Sequence, residues 1–396
     1  MSHLSPQNPA SSAASVEIDA AALRAQFPTL ADTAYLNSGS YGLLAAPVKT
    51  AFESYLSDRL RNGSNWPEWV ARAERVRHAV GAILCAEPEE VALTTSASAG
   101  INAVASALDF GGPRNRILVS DFEFPTSGHI WNAQARRGAI VEYVPEVDGK
   151  IPIENFERLI DERTKLVAVS HVCYRNGVKL DIAPIVRAAH ARGAFVLLDC
   201  FQSAGVCALD VHALGVDFAV GGMLKYLLGT AGIGFLYVKR KLAVELEATD
   251  SGWFAQEDPN AMDLFHHVPA GDARRFQAGT PPVAACFAAE AALGIITGLG
   301  PAAIERRVRE LTGNCMDRLI AEGWSLATPR ADHARGPMVA IRSTNEHELV
   351  RRLAERRVVT SCRDGNVRAM FHAYNSEDDV DALVDGLRAH SELVRR

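Results

Sequence analysis

Short apolar runs alternate with longer amphipathic stretches between residues 88 and 240, a pattern typical of a β-sheet with helical crossovers. The amphipathic stretches predict helices, for example over 97–108, 185–192 and 211–214. Because strands that are apolar throughout occur where both faces of a sheet are covered, we expect a mainly parallel sheet. Ligand-binding groups should lie just beyond its carboxyl ends. The runs that predict strands are 91–95, 117–120, 166–172, 195–199, 218–220 and 234–238.

The character of the chain changes after residue 240, where a polar stretch precedes a long helical region over 283–321. A compact α+β pattern follows from Trp324, and the acid-started segment 377–387 predicts an amphipathic helix near the end. We therefore predict a disordered leader over 1–18 and a large domain over 19–280, in which 19–50 contributes to the site mouth. Residues 281–396 should form a helical connection and a smaller C-terminal α+β domain.

Charge and cysteine usage narrow the range of partners. With 41 basic against 47 acidic residues the net charge is -6, so nucleic acid and anionic membrane surfaces are poor candidates. No apolar run approaches the ~18–20 residues of a membrane span. The 7 cysteines are scattered without a CxxC pair, which predicts no metal site and a reducing cytoplasm. We expect a small-molecule ligand.

Asp199 and Lys225 are the first candidates for chemistry. Asp199 ends a buried strand, and Lys225 follows in a setting of apolar and glycine residues. A buried lysine has a lowered pKa and becomes a usable amine nucleophile. An amine that holds an aldehyde as a Schiff base, with an acid that keeps a pyridine nitrogen protonated, is what pyridoxal phosphate requires. A half-buried ion pair would explain the same two residues equally well.

A second candidate is the hydroxyl-rich junction of strand and helix from Thr94 to Asn102, Thr-Thr-Ser-Ala-Ser-Ala-Gly-Ile-Asn. Free N–H groups, the helix dipole and short hydroxyl side chains at such a helix start form a phosphate site. A helix N-cap without any ligand is the alternative.

Six motifs in one order resemble class V aminotransferase-fold enzymes, the group that contains cysteine desulfurases, isopenicillin-N epimerase and kynureninase. The resemblance extends from Tyr35 to Leu387 and implies a pyridoxal-phosphate fold type I enzyme with a large α/β domain. The motifs are the helix start just described, Glu123-Phe-Pro, Asp199-x-x-Gln202, Lys225-Tyr-Leu-x-Gly-x-x-Gly, Phe276-x-x-Gly279-Thr280-Pro-Pro and Arg368-x-x-x-His372-x-Tyr374-Asn375.

The resemblance also implies roles at the cofactor. Lys225 would bind it covalently and move the substrate Cα proton, and Asp199 would pair with the ring nitrogen. Phe124 would stack on the ring. Trp131 is the alternative stacking residue, although we favour a position in the core for Trp131. The other residues expected to bind the cofactor are Ala97, Ser98, His171, Tyr174 and Gln202, together with Thr280 from the second subunit of a homodimer.

For the substrate, the resemblance places its α-carboxylate on Arg368. Asn37 and Ser38 are candidates for the mouth of the site, Arg175 for a second acidic group of the substrate, and Arg363 for a further contact. The nucleophilic cysteine of desulfurases lies on a mobile loop well ahead of this arginine. Cys362 is only 6 residues before Arg368, which predicts a packed or incidental thiol instead.

The expected activity is pyridoxal-phosphate chemistry on a small amino acid through an external aldimine and a quinonoid. Transamination and a lyase reaction, either kynureninase-like or C–S cleavage, are weighted equally. Epimerisation follows, and cysteine desulfuration comes last because the loop cysteine is missing. The alternative from another class is a scaffold or ligand sensor that keeps the fold without turnover, since fold alone does not establish activity.

Overall fold

A computed structural model describes residues 17–396 of the chain. The predicted leader therefore lies outside the described residues up to position 16. The strands of the N-terminal two thirds are β1 (Ala34–Tyr35), β2 (Val91–Thr94), β3 (Arg116–Ser120), β4 (Ile140–Val144), β5 (Thr164–Ser170), β6 (Phe195–Asp199), β7 (Phe218–Gly222) and β8 (Gly234–Val238).

Seven of these strands form the central sheet in the spatial order β2-β8-β7-β6-β5-β3-β4. In this described sheet β8 pairs antiparallel with β2 and β7, and the other neighbouring pairs are parallel, so the mainly parallel arrangement is confirmed. The six predicted strands are present. The seventh, β4, is an edge strand with Ile140 and Tyr143 about half exposed, so it lacks the continuous apolar run that marks the others.

Helices cover both faces of this sheet. Alternate residues of its central strands enter two separate cores, since Val167 and Leu198 pack in one and Ala168 and Leu197 in the other. The helices up to this point are α1 (Ala20–Arg24), α2 (Ala46–Asn62), α3 (Trp66–Leu84), α4 (Ala97–Ala107), α5 (Pro125–Ala133), α6 (Ile153–Leu159), α7 (Ile182–Ala191), α8 (Val211–Leu214) and α9 (Arg240–Glu245).

The predicted helical region over 283–321 consists of two helices, α10 (Val283–Leu299) and α11 (Pro301–Ala321), bent by 77°. Gly300 has φ +79° and precedes Pro301 in the first turn of α11, which ends one helix and starts the next. Within the described residues no single helix has the length and apolar character of a membrane span, although this bent pair meets both criteria when its members are counted together.

The C-terminal part contains β9 (Met338–Arg342), α12 (Glu346–Glu355), β10 (Val358–Val359), β11 (Ser361–Arg363), β12 (Asn366–Met370) and α13 (Glu377–Arg388). Strands β11, β12 and β9 form an antiparallel sheet. The helix predicted over 377–387 is α13, whose start is capped by Ser376 and Asp379.

The N-terminal segment joins this part to the central sheet. Strand β1 pairs in parallel with β10, and Arg24 makes two hydrogen bonds to the buried Asp379 carboxylate. Farther along, the Gly42 N–H donates to the Leu224 carbonyl at 2.8 Å, next to Lys225. Residues 24–42 therefore contact both the sheet edge that carries Lys225 and the C-terminal part.

Candidate functional site

A cavity of about 270 Å³ opens at the carboxyl ends of β5, β6 and β7. These ends coincide because Ser170 is in register with Asp199, and Asp199 with Val220. Seven of the sequence-predicted residues line the cavity, namely Ala97, Ser98, Phe124, Tyr174, Asp199, Gln202 and Lys225. The structure adds Ser96, Thr126, Ser170, Val172, Phe201 and Leu224.

Lys225 presents its amine to this cavity from the turn after β7. Burial lowers the pKa of the ammonium to about 8, the Asp199 carboxylate opposes that shift, and the Arg368 charge adds to it. Among the described residues Nζ has no hydrogen-bonding partner, and it lies 4.3 Å from the centroid of the Phe201 ring. The amine is therefore available to bind a ligand and partly neutral near pH 8.

Asp199 is buried at the end of β6, and its Oδ1 accepts a 2.8 Å hydrogen bond from the Phe201 N–H. Burial raises its pKa, while that N–H and the Lys225 charge oppose the rise. A buried carboxylate of this kind is stable once a cationic or N–H partner faces it. A protonated ring nitrogen would be such a partner.

Glu123 is a buried acid to which the sequence reasoning gave no role, although it opens one of the quoted motifs. Burial and the neighbouring Asp199 charge raise its pKa to about 8, so it is largely protonated at neutral pH. The Ser120 hydroxyl donates to its Oε1 at 3.5 Å, and its Oε2 has no partner among the described residues. In the sequence, the position of this acid between Phe122 and Phe124 could have indicated that Glu123 is buried.

The start of α4 lines one part of the cavity. Ser96 caps the helix through a 3.1 Å hydrogen bond from the Ala99 N–H, which leaves the N–H groups of Ala97 and Ser98 free. The Ser98 hydroxyl is hydrogen bonded to Thr126 at 2.8 Å. These groups fit a phosphate, because helix N-termini bind anions.

Phe124 and Tyr174 form an aromatic wall, with ring centroids 5.2 Å apart in an edge-to-face arrangement. Phe124 is 46% exposed, so its ring is accessible to a planar ligand. Trp131 is fully buried in the core and does not line the cavity. Phe124 is therefore the better candidate of the two for stacking on a ring.

Arg368 lies buried on β12 with part of its guanidinium unoccupied. Nη1 donates to the Tyr174 carbonyl at 2.6 Å and Nη2 to the Ser361 hydroxyl at 2.8 Å, while Nε has no partner among the described residues. A guanidinium with free donors on one edge can bind a carboxylate through two hydrogen bonds. Ser361, which the sequence reasoning missed, fixes the orientation of this group.

Arg175 and His171 are two of the seven predicted site residues that do not line the cavity, and Arg368 is a third. The Arg175 guanidinium donates to the Asp121 carbonyl at 2.7 Å and to Glu146 at 3.2 Å, so the expectation that it receives an acidic group of the substrate does not fit. His171 is a neutral core residue, because burial lowers its pKa to about 3. The residues on either side of His171, not His171 itself, line the cavity.

Neither of the two candidates for the mouth of the site, Asn37 and Ser38, lines the cavity. Ser38 is fully buried, and its hydroxyl is hydrogen bonded to the Tyr374 hydroxyl at 2.5 Å, which corrects its predicted place at the mouth. Asn37 bridges to Met370 and keeps a buried Oδ1 without a described partner. Arg363 is exposed on β11, beside the strand that carries Arg368.

Thr280 and Cys362 lie away from the cavity. Thr280 is exposed in a separate depression lined by Gly279 and Pro281. The Cys362 thiol is 3.3 Å from Nδ1 of His347 on α12, whereas the preceding residue, Ser361, contacts Arg368. Alternation along β11 thus turns the thiol away from the arginine.

The residues at the cavity fit pyridoxal phosphate. Lys225 supplies an amine for the aldehyde, Asp199 a carboxylate for the ring nitrogen, and the start of α4 free N–H groups for the phosphate. Gln202 donates from Nε2 to the Gly39 carbonyl at 3.1 Å and keeps a buried Oε1 without a described partner. These are the groups that the cofactor needs on its different sides.

Comparisons with known proteins identify relatives that match most of the chain. The aminotransferase class-V family profile matches residues 44–383. An uncharacterised aminotransferase of Bacillus subtilis is 34% identical over 366 residues, which cover 92% of this chain and 96% of that protein. A kynureninase of Deinococcus radiodurans is 31% identical over 384 residues, covering 92% of each chain. The structure of a cysteine desulfurase from Thermococcus onnurineus superposes with a TM-score of 0.85, covering 96% of this chain and 99% of that one at 24% identity, which shows the shared fold.

Proposed function

The chain belongs to the class-V aminotransferase family and is a pyridoxal-phosphate-dependent enzyme, and from this premise we propose that it transforms a small monocarboxylic amino acid. The reaction is transamination or a lyase cleavage at the substrate side chain. Both reactions start with the loss of the Cα proton. The observation that carries the proposal is that Lys225 and Asp199 face one cavity, and that Arg368 donates a hydrogen bond to the carbonyl of Tyr174, a residue of the cavity wall.

When bound, pyridoxal phosphate supplies an electron-accepting ring joined to the substrate nitrogen. Asp199 would keep a proton on the ring nitrogen, and the N–H groups of Ala97 and Ser98 would hold the phosphate. Lys225 would take the substrate Cα proton at Nζ. Its pKa of about 8 leaves part of the amine neutral near neutral pH, which suits a general base.

The arginines support a substrate with one carboxylate. Arg368 keeps free donors, while the Arg175 charge is already shared between Glu146 and a backbone carbonyl. Apart from Phe124, which we assign to the cofactor ring, the apolar lining of the cavity includes Val172, Phe201 and Leu224, which favours an apolar side chain. A kynureninase among the relatives keeps a lyase reaction as the second candidate beside transamination.

Cysteine desulfuration and the scaffold alternative receive less support. A desulfurase needs a thiol that reaches the bound substrate, and Cys362 packs against His347 on the far face of β11. A scaffold has no need of a buried amine and a buried carboxylate facing one cavity, because burying each of these groups lowers the stability of the fold. Epimerisation remains the further alternative within the family.

The homodimer is also part of the proposal. Thr280 is exposed outside the cavity of its own chain, as expected of a residue that reaches the phosphate of a second subunit. Leu264 and Phe265, which precede Thr280 in the chain, are each 85% exposed, and a subunit interface would bury them. The two active sites would then share residues across the interface.

The reaction type is tested by incubating the purified holoenzyme with a panel of amino acids, with and without a keto-acid acceptor. Keto acid formed only with the acceptor indicates transamination, whereas pyruvate or alanine with a released fragment indicates a lyase. A change of enantiomer alone indicates epimerisation, and sulfide that depends on Cys362 would overturn the ranking. A colourless protein that takes up no added pyridoxal phosphate would refute the cofactor assignment.

Shared sites are tested by mixing two inactive variants, Lys225→Ala and Thr280→Asp, under conditions that exchange subunits. In a mixed dimer one site carries both changes and the other carries neither, so activity should reappear. Activity that stays absent while mixed dimers form would place Thr280 in the site of its own chain. A Thr280→Asp enzyme that is active by itself would place Thr280 outside any site.

A further inference from the structure

Phe201 lies between Asp199 and Gln202 in the chain, and its ring lines the same cavity as Lys225. Lys225 Nζ is 4.3 Å from the centroid of this ring and 5.9 Å from that of Phe124. A cation within about 6 Å of a ring centroid is attracted by the negative ring face. Phe201 is the nearer of the two rings and therefore the stronger candidate for such an interaction.

The position of the Phe201 ring depends on Gly222, the last residue of β7. A Cβ atom at Gly222 would lie 2.5 Å from Cζ of Phe201, so the ring occupies the space that any side chain there would need. The preceding residue, Gly221, leaves space in the same way for Phe235. Phe235 is fully buried and does not line the cavity, which makes it a matched reference for Phe201.

The backbone of Phe201 serves the same site as its ring. Its N–H donates to Asp199 Oδ1 at 2.8 Å, while the ring lies over Lys225 Nζ. One residue thus contacts both charged groups that the proposed chemistry uses. A change at position 201 that preserves the backbone separates the effect of the ring from that of the N–H.

We propose that Phe201 is a positioning residue whose ring face holds Lys225 Nζ in place and stabilises positive charge on that atom. The inference rests on the proposed function, in which Nζ gains and loses a proton during turnover. Burial and Arg368 disfavour that charge, and Asp199 favours it. Other titratable groups close to this site are Tyr174, which lines the cavity, and Glu123 and Cys200, which both feel the Asp199 charge. A neutral ring stabilises the cation without repelling a phosphate or a carboxylate.

The test follows the visible absorption of the holoenzyme as a function of pH, which reports the protonation of Lys225 Nζ. The variants are Phe201→Leu, which removes the ring face, and the reference Phe235→Leu. We expect Phe201→Leu to lower the midpoint by about 0.4 to 1.5 pH units. Phe235→Leu should titrate like the wild type, and the affinity for pyridoxal phosphate is measured alongside.

A second series covers the case in which Phe201→Leu does not fold. Phenylalanines with one, two or three ring fluorines at position 201 weaken the ring face stepwise with little change in volume, and the midpoint should fall with each step. Midpoints that stay constant across the series, or a shift in Phe235→Leu equal to that in Phe201→Leu, would overturn the inference. If the wild type shows no cofactor band, the proposed function itself has failed.

Discussion

At the ends of β6 and β7, Asp199 and Lys225 hold their positions because both strands are buried and stop at the same edge of the sheet. In the β11–β12 hairpin, position depends instead on alternation, since Ser361 faces Arg368 and Cys362 faces α12. We call the first region the cofactor end and the second the substrate end. The reactive side chains are therefore positioned by the ends of strands at the cofactor end and by the faces of strands at the substrate end.

The largest expected effect is at the cofactor end. Lys225→Ala removes the group that binds the cofactor covalently and takes the Cα proton, so activity should fall by at least roughly a thousandfold. The visible absorption band of the purified protein should be lost as well. Lys241→Ala is the control, because this exposed lysine only pairs with Glu245 on α9. Retention of the band in Lys225→Ala would contradict the assignment.

The next effect belongs to the substrate end. Arg368→Lys keeps the charge but loses the planar pair of donors, so kcat/KM should fall by about 100-fold, mainly through KM. The affinity for pyridoxal phosphate, measured by fluorescence titration, should stay unchanged. Arg363→Lys, on the adjacent strand, should change kcat/KM by less than about threefold. A loss of cofactor affinity in Arg368→Lys would mean that the two ends are not separate.

A smaller effect distinguishes two neighbouring residues. Ser361→Ala removes one acceptor from the Arg368 guanidinium, and the loss of a hydrogen bond of about 1 kcal/mol predicts a roughly fivefold rise in KM. Cys362→Ser should leave KM and kcat at wild-type values, because the thiol contacts His347 instead. The measurement is steady-state kinetics of both variants on one substrate. An equal change in KM for the two variants would show that the alternation of side chains does not determine which of them affects Arg368.

The smallest effect concerns stability at the cofactor end. Glu123 has a pKa of about 8 when folded against 4.5 ordinarily, so the native state binds more protons in that interval and loses stability as pH rises through it. Glu123→Gln stays neutral, so the gap in Tm between the variant and the wild type should grow by about a few degrees from pH 5 to pH 8. The exposed Glu247→Gln is the control. A constant gap would place an ionised carboxylate at position 123.

The sequence was informative where a side chain follows a buried strand, and less so elsewhere. Asp199 and Lys225 could be identified from apolar runs and glycines, because parallel strands bring their ends to one edge. Arg175 and His171 could not be placed, since their directions depend on partners distant in the chain, such as Glu146 for Arg175. The edge strand β4 and the break at Gly300 were missed for a related reason, because both depend on local exposure and turn geometry.

The alternation in β11 has a further consequence for how activities can diverge within one fold. A shift of the strand by one residue exchanges the faces of its side chains, which would bring the Cys362 thiol to the place of the Ser361 hydroxyl beside Arg368. The exchange Ser361→Cys with Cys362→Ser does the same without moving the backbone. A bound amino acid should then protect the new thiol from alkylation, whereas it should not protect Cys362 in the wild type. If neither thiol is protected, position 361 does not border the substrate.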